Sequence, residues 1–193
     1  MTNTERCSWC GNDPLYVRYH DTVWGRPEYD DRALFEKLCL DGQQAGLSWI
    51  TILRKQGTYR EAYDDFDPEK IIQYDDEKVA QLLENPGIIR NRLKVQSVIK
   101  NARGYLKILE DEGSFSDFLW SFVNHSPIQN RWTSMSDVPV TTPESEAMSK
   151  ALKRRGFTFV GPTIVYAFMQ ATGMVNDHLA QCPQHSACRE LAL

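Results

Sequence analysis

The sequence predicts an all-α protein, and three observations predict it. Apolar residues recur at helical spacing through most of the 193 positions. Helix-start signals such as Asp67-Pro68 and Thr142-Pro143 stand just before those stretches. Alternation at strand spacing is nearly absent. There is no internal repeat, no low-complexity tract and no linker long enough to separate domains. The expectation is one compact unit over residues 1–193, or two closely packed lobes. Hydrophobic residues make up 41% and charged residues 25%, an ordinary globular balance that excludes a disordered, collagen-like or disulfide-scaffold chain. No apolar run approaches the ~18 residues of a membrane helix, and residues 1–14 hold no signal-peptide core.

The elements follow in order. Asp30 and Asp31 precede Leu34, Phe35, Leu38 and Cys39, an apolar stripe with an acidic start. Ser48 to Lys55 reads as a second helix with Trp49, Ile50 and Leu53 on one face. Asp67 caps a third, and Asp75 a fourth that carries Val79, Leu82 and Leu83. Asn85-Pro86-Gly87 is a turn. A long helix follows, with Val95, Val98, Ile99, Ala102, Leu106 and Leu109 on its apolar face. Phe115 to Val123 is a short aromatic helix, and Asn124 to Val140 is irregular. The next helix runs from Thr142 to Arg155 and stops at Gly156. The last strong one spans Pro162 to Thr172 and ends at Gly173.

Net charge is −4, more acidic than a protein that coats nucleic acid wholesale. Locally, Arg90, Arg92, Lys94, Lys100, Arg103 and Lys107 follow one another with no acid between them. Lys150, Lys153, Arg154 and Arg155 form a second basic cluster. These fit either a phosphate-facing surface or two solvated helix faces. The second cluster adjoins Gly156-Phe157-Thr158-Phe159-Val160-Gly161-Pro162-Thr163, a hairpin between two helices. Such a helix–hairpin–helix element, about residues 145–173, can aim backbone N–H groups at a DNA phosphate. A plain αα-hairpin whose glycines serve packing is the competing reading.

The five cysteines, without an export signal, point to metal or catalysis more than to disulfides. Cys7-x-x-Cys10 lies at one end and Asn176-Asp177-His178-x-x-x-Cys182 at the other. His20, His185 and Cys188 are further donors. Thiolates and imidazoles are the usual tetrahedral zinc ligands, and a closed four-ligand site is structural. Ligands from both ends would close a loop of roughly 170 residues. Spacing alone does not choose among these donors.

Trp9, Trp24 and Trp49 fall in the first fifty residues, with Tyr16 and Tyr19 nearby. Among them lies Asp41-Gly42-Gln43-Gln44-Ala45-Gly46-Leu47-Ser48, between two helices. Its glycines allow an exposed turn with Gln44 and Leu47 at the tip, and Leu47 could wedge into a base stack. Aromatic faces can sandwich an extruded base and favour a cationic one. Asp41 could accept hydrogen bonds from that base. Core packing is the bland account of the tryptophans.

Taken together, the segments from Arg6 to Cys182 resemble the DNA-3-methyladenine glycosylase I family of the helix–hairpin–helix DNA glycosylase superfamily. The carrying pieces include Asp13-Pro14-Leu15-Tyr16, Tyr19-His20-Asp21, Trp24-Gly25, Gly42 to Trp49, Gly87-Ile88-Ile89-Arg90, Trp120 to His125, Gly156 to Gly161 and Val175-Asn176-Asp177-His178. The resemblance implies a bilobal helix–hairpin–helix glycosylase fold, and hydrolytic excision of 3-methyladenine from alkylated double-stranded DNA, leaving an abasic site. It implies a structural zinc joining the termini through Cys7, His20, His178 and Cys182. The base pocket falls to Trp9, Tyr19 and Trp49, with Asp41 as the catalytic and base-binding carboxylate. DNA contacts fall to Gln44, Gly46 and Leu47 of the turn and to Lys153, Gly156, Gly161 and Thr163 of the hairpin. A monomer in the cytoplasm, at the nucleoid, is expected.

One position departs from the family pattern. The carboxylate before Gly-Gln-Gln is normally glutamate, and here it is Asp41. Aspartate reaches about 1.5 Å less far, so contact with a base needs a backbone shift or a bridging water. No lysine stands out as a nucleophile, so no lyase activity is expected. Asp177 is a weaker candidate for stabilising positive charge on the sugar. The competing functions are a non-catalytic zinc-stabilised DNA-binding module and a glycosylase for another alkylated base.

Overall fold

The computed structural model describes residues 5–192. The N- and C-terminal residues 1–4 and 193 of the expected unit lie outside that range. The described residues are mostly helical, with one minimal pair of strands.

Local chemistry sets the helix ends. α1 (Pro14–Thr22) begins where Asp13 Oδ1 accepts from the N–H groups of Leu15 and Tyr16, and Pro14 needs no donor partner at that place. α2 (Asp31–Gln43) is capped by Asp30, whose carboxylate accepts from Ala33 N at 2.8 Å. Leu34, Phe35 and Leu38 share its inward face and are fully buried, each contributing roughly 1.5–3 kcal/mol of transfer free energy. After α3 (Trp49–Arg54) come α4 (Gln56–Ala62) and α5 (Pro68–Ile71), the latter capped by Asp67. α6 (Asp76–Glu84) starts at the Asp75 cap.

α7 (Arg92–Glu112) is the central helix. Asn91 caps its start, and Gly113, in the left-handed region, closes it. α8 (Phe115–Trp120) follows at once, and the aromatic stretch tightens into a single 3₁₀ turn over Ser121–Val123. The irregular segment holds β1 (Ile128–Gln129). It pairs in parallel with β2 (Val175–Asn176), a contact the sequence reading did not foresee. α9 (Pro143–Arg154) opens with a reciprocal box between Thr142 and Ser145. α10 (Pro162–Ala171) and α11 (Pro183–Glu190) complete the chain.

One apolar core runs through α2, α7, α8, α9 and α10, with Phe35, Tyr105, Phe115 and Phe157 forming a chain of ring contacts in that order. The hairpin between α9 and α10 docks on α7. Asn101 donates to Thr158 O and accepts from Thr158 N, while Ser149 donates to Val160 O. A second, smaller cluster gathers Cys7, Leu179 and Cys182 with Trp9 and Trp132, joining the two ends of the chain.

The basic run on α7 is only partly a surface. Lys94 turns inward and donates to Gln43 O at 2.8 Å and Ala45 O at 2.7 Å. It therefore anchors the turn between α2 and α3. Lys107 pairs with Glu110 and Asp111. Arg155 of the second cluster pairs with Asp111 and Glu112, whereas Lys150, Lys153 and Arg154 stand beside Pro162 at an open hollow.

Candidate active site

The α2–α3 turn carries the first part of the site. Gln43 is buried and donates to Lys94 O, and Tyr59 Oη donates to Gln43 Oε1. With its base pinned from below, the turn projects outward. Gly46 has φ +78° in open space, a conformation suited to glycine. Leu47 beside it is 41% exposed, and Gln44 Nε2 donates to Leu47 O at 3.3 Å. Gly46 and Leu47, the expected wedge, are exposed at the tip, and Gln44 is half-buried beside them.

Behind the tip opens a cavity of about 230 Å³. Its walls include Trp9, Tyr16, Tyr19, Trp24 and Trp49. Tyr19 and Trp49 lie 5.7 Å apart between ring centroids, and Trp9 meets Tyr16 edge-on at 5.0 Å. Asp41 enters from α2 with only 2% of its surface exposed. The structure therefore brings together all four residues expected in the pocket.

Two features of this cavity were not legible beforehand. Lys37, one turn before Asp41 on α2, donates to Asp41 Oδ1 at 2.5 Å. Its Nζ lies 3.5 Å from the Trp49 ring centroid. The second feature is a set of unpaired polar atoms. Buried polar groups in proteins are nearly always hydrogen-bonded. Among the described residues, five buried side-chain atoms have no partner. Three of them are Trp9 Nε1, Trp49 Nε1 and Asp41 Oδ2, all from residues of this wall. Burial raises the Asp41 carboxyl above its ordinary 3.8, and the Lys37 charge opposes that shift. Burial lowers Lys37, with Asp41 opposing in turn.

Asp177 also borders the cavity. Its carboxylate accepts from Asn130 Nδ2 and Trp132 Nε1 on one oxygen, and from Tyr166 Oη and Gln170 Nε2 on the other. Four donors fix it rigidly. Neither Trp132 nor Gln170 drew notice in the sequence.

At the chain ends, Cys7, His20, His178 and Cys182 are all buried, and their donor atoms lie within 4.8 Å of one another. Cys7 Sγ and Cys182 Sγ stand 3.7 and 3.8 Å from His178 Nδ1, and His20 Nε2 stands 3.7 Å from Cys182 Sγ. The remaining ring nitrogens are held from outside: His20 Nδ1 by Asp21 at 2.8 Å and His178 Nε2 by Trp24 O at 2.9 Å. Leu179 N donates to Cys7 Sγ. The Cys182 thiol is pushed well below its ordinary range, first by donation from the Cys7 thiol and then by His178 and His20. The other potential donors turn elsewhere. Cys10 Sγ donates to Cys7 O, and His185 Nε2 meets Asn130 O at 2.6 Å. Cys188 packs near Gly25.

In the hairpin, Gly156 has φ +87° and Gly161, with φ −62°, is the N-cap of α10. A side chain at either would meet nothing within 4 Å, so both backbones are open to approach. Lys153 and Thr163 are exposed beside them.

Comparison with known proteins agrees with this geometry. The sequence pattern of the methyladenine glycosylase family matches residues 9–185. DNA-3-methyladenine glycosylase 1 of Escherichia coli (strain K12) is 53% identical, over 92% of this chain and 95% of that protein. The DNA-3-methyladenine glycosylase of Haemophilus influenzae is 52% identical, over 93% and 97%. A Staphylococcus aureus structure described as the basis of 3-methyladenine recognition by 3-methyladenine DNA glycosylase I superposes with a TM-score of 0.91. It is 43% identical and covers 95% of this chain and 97% of that one. The chain belongs to the methyladenine glycosylase family.

Proposed function

We infer that this protein is a DNA-3-methyladenine glycosylase, which flips the lesion out of alkylated duplex DNA and hydrolyses its N-glycosidic bond. The observation that carries this reading is the aromatic cavity in which Asp41 Oδ2 is buried without a protein partner. That oxygen suits a flipped base that presents an amino group. The enzymes of known name at 52–53% identity are described as acting on this lesion.

The chemistry needs little acid–base machinery. Adenine methylated at N3 is cationic while joined to the sugar and leaves as a neutral base, so its departure needs no protonation. The protein must extrude the nucleotide, hold the base and admit water to the sugar carbon. Trp9, Tyr19 and Trp49 hold the base by stacking and by attraction of its charge. Asp41 accepts from its edge and disfavours guanine, whose O6 would oppose a second acceptor. Leu47 fills the gap in the duplex, with Gly46 and Gln44 shaping its turn. The hairpin amides around Gly156 and Gly161, with Thr163 and Lys153, contact the phosphates. Asp177, at the border of the cavity, would stabilise positive charge that develops on the sugar.

The donor set at the chain ends fits zinc. Bonds of ~2.3 Å to sulfur and ~2.0 Å to nitrogen at a tetrahedral angle put S and N about 3.5 Å apart. The 3.7–3.8 Å spacings of the structure are close to that separation. Asp21 and the Trp24 carbonyl orient the imidazoles from outside, as metal-bound histidines require. Cys7, His20, His178 and Cys182 would hold the ion, which would supply structural closure only. The reading also implies a two-lobed monomer working on chromosomal DNA in the cytoplasm, at the nucleoid. No helix among the described residues is long and apolar enough to cross a membrane.

The test is release of free bases from methylated duplex DNA, with 3-methyladenine resolved from 7-methylguanine. Release of 3-methyladenine supports the assignment. No release from folded protein that binds the duplex overturns it and favours a damage-binding module.

A further inference from the structure

The shorter carboxylate at position 41 has a companion. Lys37 and Asp41 are separated by one helical turn, so both side chains leave α2 on the same side. Lys37 Nζ donates to Asp41 Oδ1 at 2.5 Å and lies 3.5 Å from the Trp49 ring centroid. Both residues line the aromatic cavity, and the Lys37 side chain is only 16% exposed. A buried ammonium needs more than one acceptor to replace water. Among the described residues, Asp41 Oδ1 is its only hydrogen-bond acceptor. The pocket therefore presents a donor, Lys37 Nζ, beside an acceptor, Asp41 Oδ2, which has no protein partner.

We propose that Lys37 is a specificity-determining residue of the base pocket, which donates a hydrogen bond to an adenine ring nitrogen while Asp41 accepts from the neighbouring amino group. Adenine carries this pattern: its 6-amino donor is flanked by two ring acceptors, N1 and N7. The ammonium stands 2.5 Å from the aspartate tip at the cavity wall. It supplies the contact that the missing methylene of Asp41 would otherwise leave to a bridging water. No covalent step is involved. The inference rests on the assignment of 3-methyladenine to this pocket.

The experiment pairs a side chain with a ligand atom. Binding of free 3-methyladenine and of its 1-deaza and 7-deaza analogues is measured by quenching of tryptophan fluorescence. The native protein is expected to lose tenfold or more in affinity for one analogue. In Lys37→Met that loss should shrink to twofold or less. Because Lys37→Met also strips Asp41 of its counter-ion, Asp41→Asn and the double variant Lys37→Met/Asp41→Asn are run together. The analogue penalty should persist in the first and vanish in the second. An equal penalty with and without Lys37 would reduce Lys37 to a counter-ion and overturn the proposal. Should the variants not fold, the side-chain ¹⁵N resonance of Lys37 in the native protein decides. It should shift with 3-methyladenine and shift less with the discriminated analogue; no shift with either overturns the proposal. Failure of the native protein to bind 3-methyladenine at all would instead overturn the pocket assignment, and this inference with it.

Discussion

At the scale of single residues, Trp49 and Asp41 carry the sharpest expectations. Trp49 is half-buried, and its ring faces the cavity with Nε1 unpaired. Trp49→Ala should weaken 3-methyladenine binding by about tenfold or more, with cooperative thermal unfolding retained. Titration of the variant with free base checks it; unchanged affinity would remove Trp49 from the site. For Asp41 the sign follows from burial. Its carboxyl is raised above 3.8 by desolvation, against the opposing Lys37 charge. Base binding should therefore begin to fall on acidification at a higher pH than an ordinary carboxylate allows, as the acceptor is protonated. Asp41→Asn should remove that step from the binding–pH curve. Asp41 and the tryptophans were legible in the sequence because rare aromatics cluster around an unusual Asp-Gly-Gln-Gln turn. Lys37 was not, since it lies off the apolar stripe of α2 and reads as an ordinary solvated lysine. The closeness of its Nζ to Asp41 and to the Trp49 ring reveals it.

At the scale of elements, the docking of the hairpin on α7 is the critical contact. A methyl at Gly104 would fall 2.5 Å from the Phe157 ring and 2.8 Å from Arg155 O. Gly104→Ala should cost about 1–3 kcal/mol and lower the melting temperature by about 2–10 °C. Affinity for duplex DNA should drop more than affinity for the free base, because the hairpin shifts and the pocket does not. Calorimetric melting and the two binding measurements check this. Capped helices were mostly readable: Asp30, Asp67, Asp75 and Thr142 all cap helices through their side chains, as does Asp13, whose helix α1 the sequence reading did not name. The reading of the sequence did not resolve α4 and α11, which are short and polar, because their apolar faces exist only against neighbours. Lys94 misled for a related reason. Charge patterning put it on a phosphate-facing or solvated surface, whereas the two carbonyls at the end of α2 draw it inward.

At the scale of the whole molecule, residues near the two ends of the chain meet in one buried cluster, Cys7 and His20 with His178 and Cys182. The spacing of cysteine and histidine in the sequence left several donor sets open. The fold gathers one set, with Cys10 and His185 turned to backbone carbonyls and Cys188 outside the group. Purified protein should hold about one equivalent of zinc. Removing it by chelation should lower stability by about 3 kcal/mol or more, as expected for a ligand bound far above its dissociation constant, read as a drop of about 5–10 °C in melting temperature. Metal analysis beside a melting curve tests both. The same clasp sets Trp9 and Trp24 against the pocket, since Trp24 meets His178 edge-on at 4.6 Å and Trp9 meets His20 at 5.3 Å. Metal removal should therefore also weaken base binding. The most direct test of the pocket itself is a crystal structure with free 3-methyladenine. The base is expected against the Trp49 ring, with its amino group within hydrogen-bond distance of Asp41 Oδ2. A base bound outside this cavity, or one inside it that leaves Asp41 Oδ2 unpaired, would contradict the account.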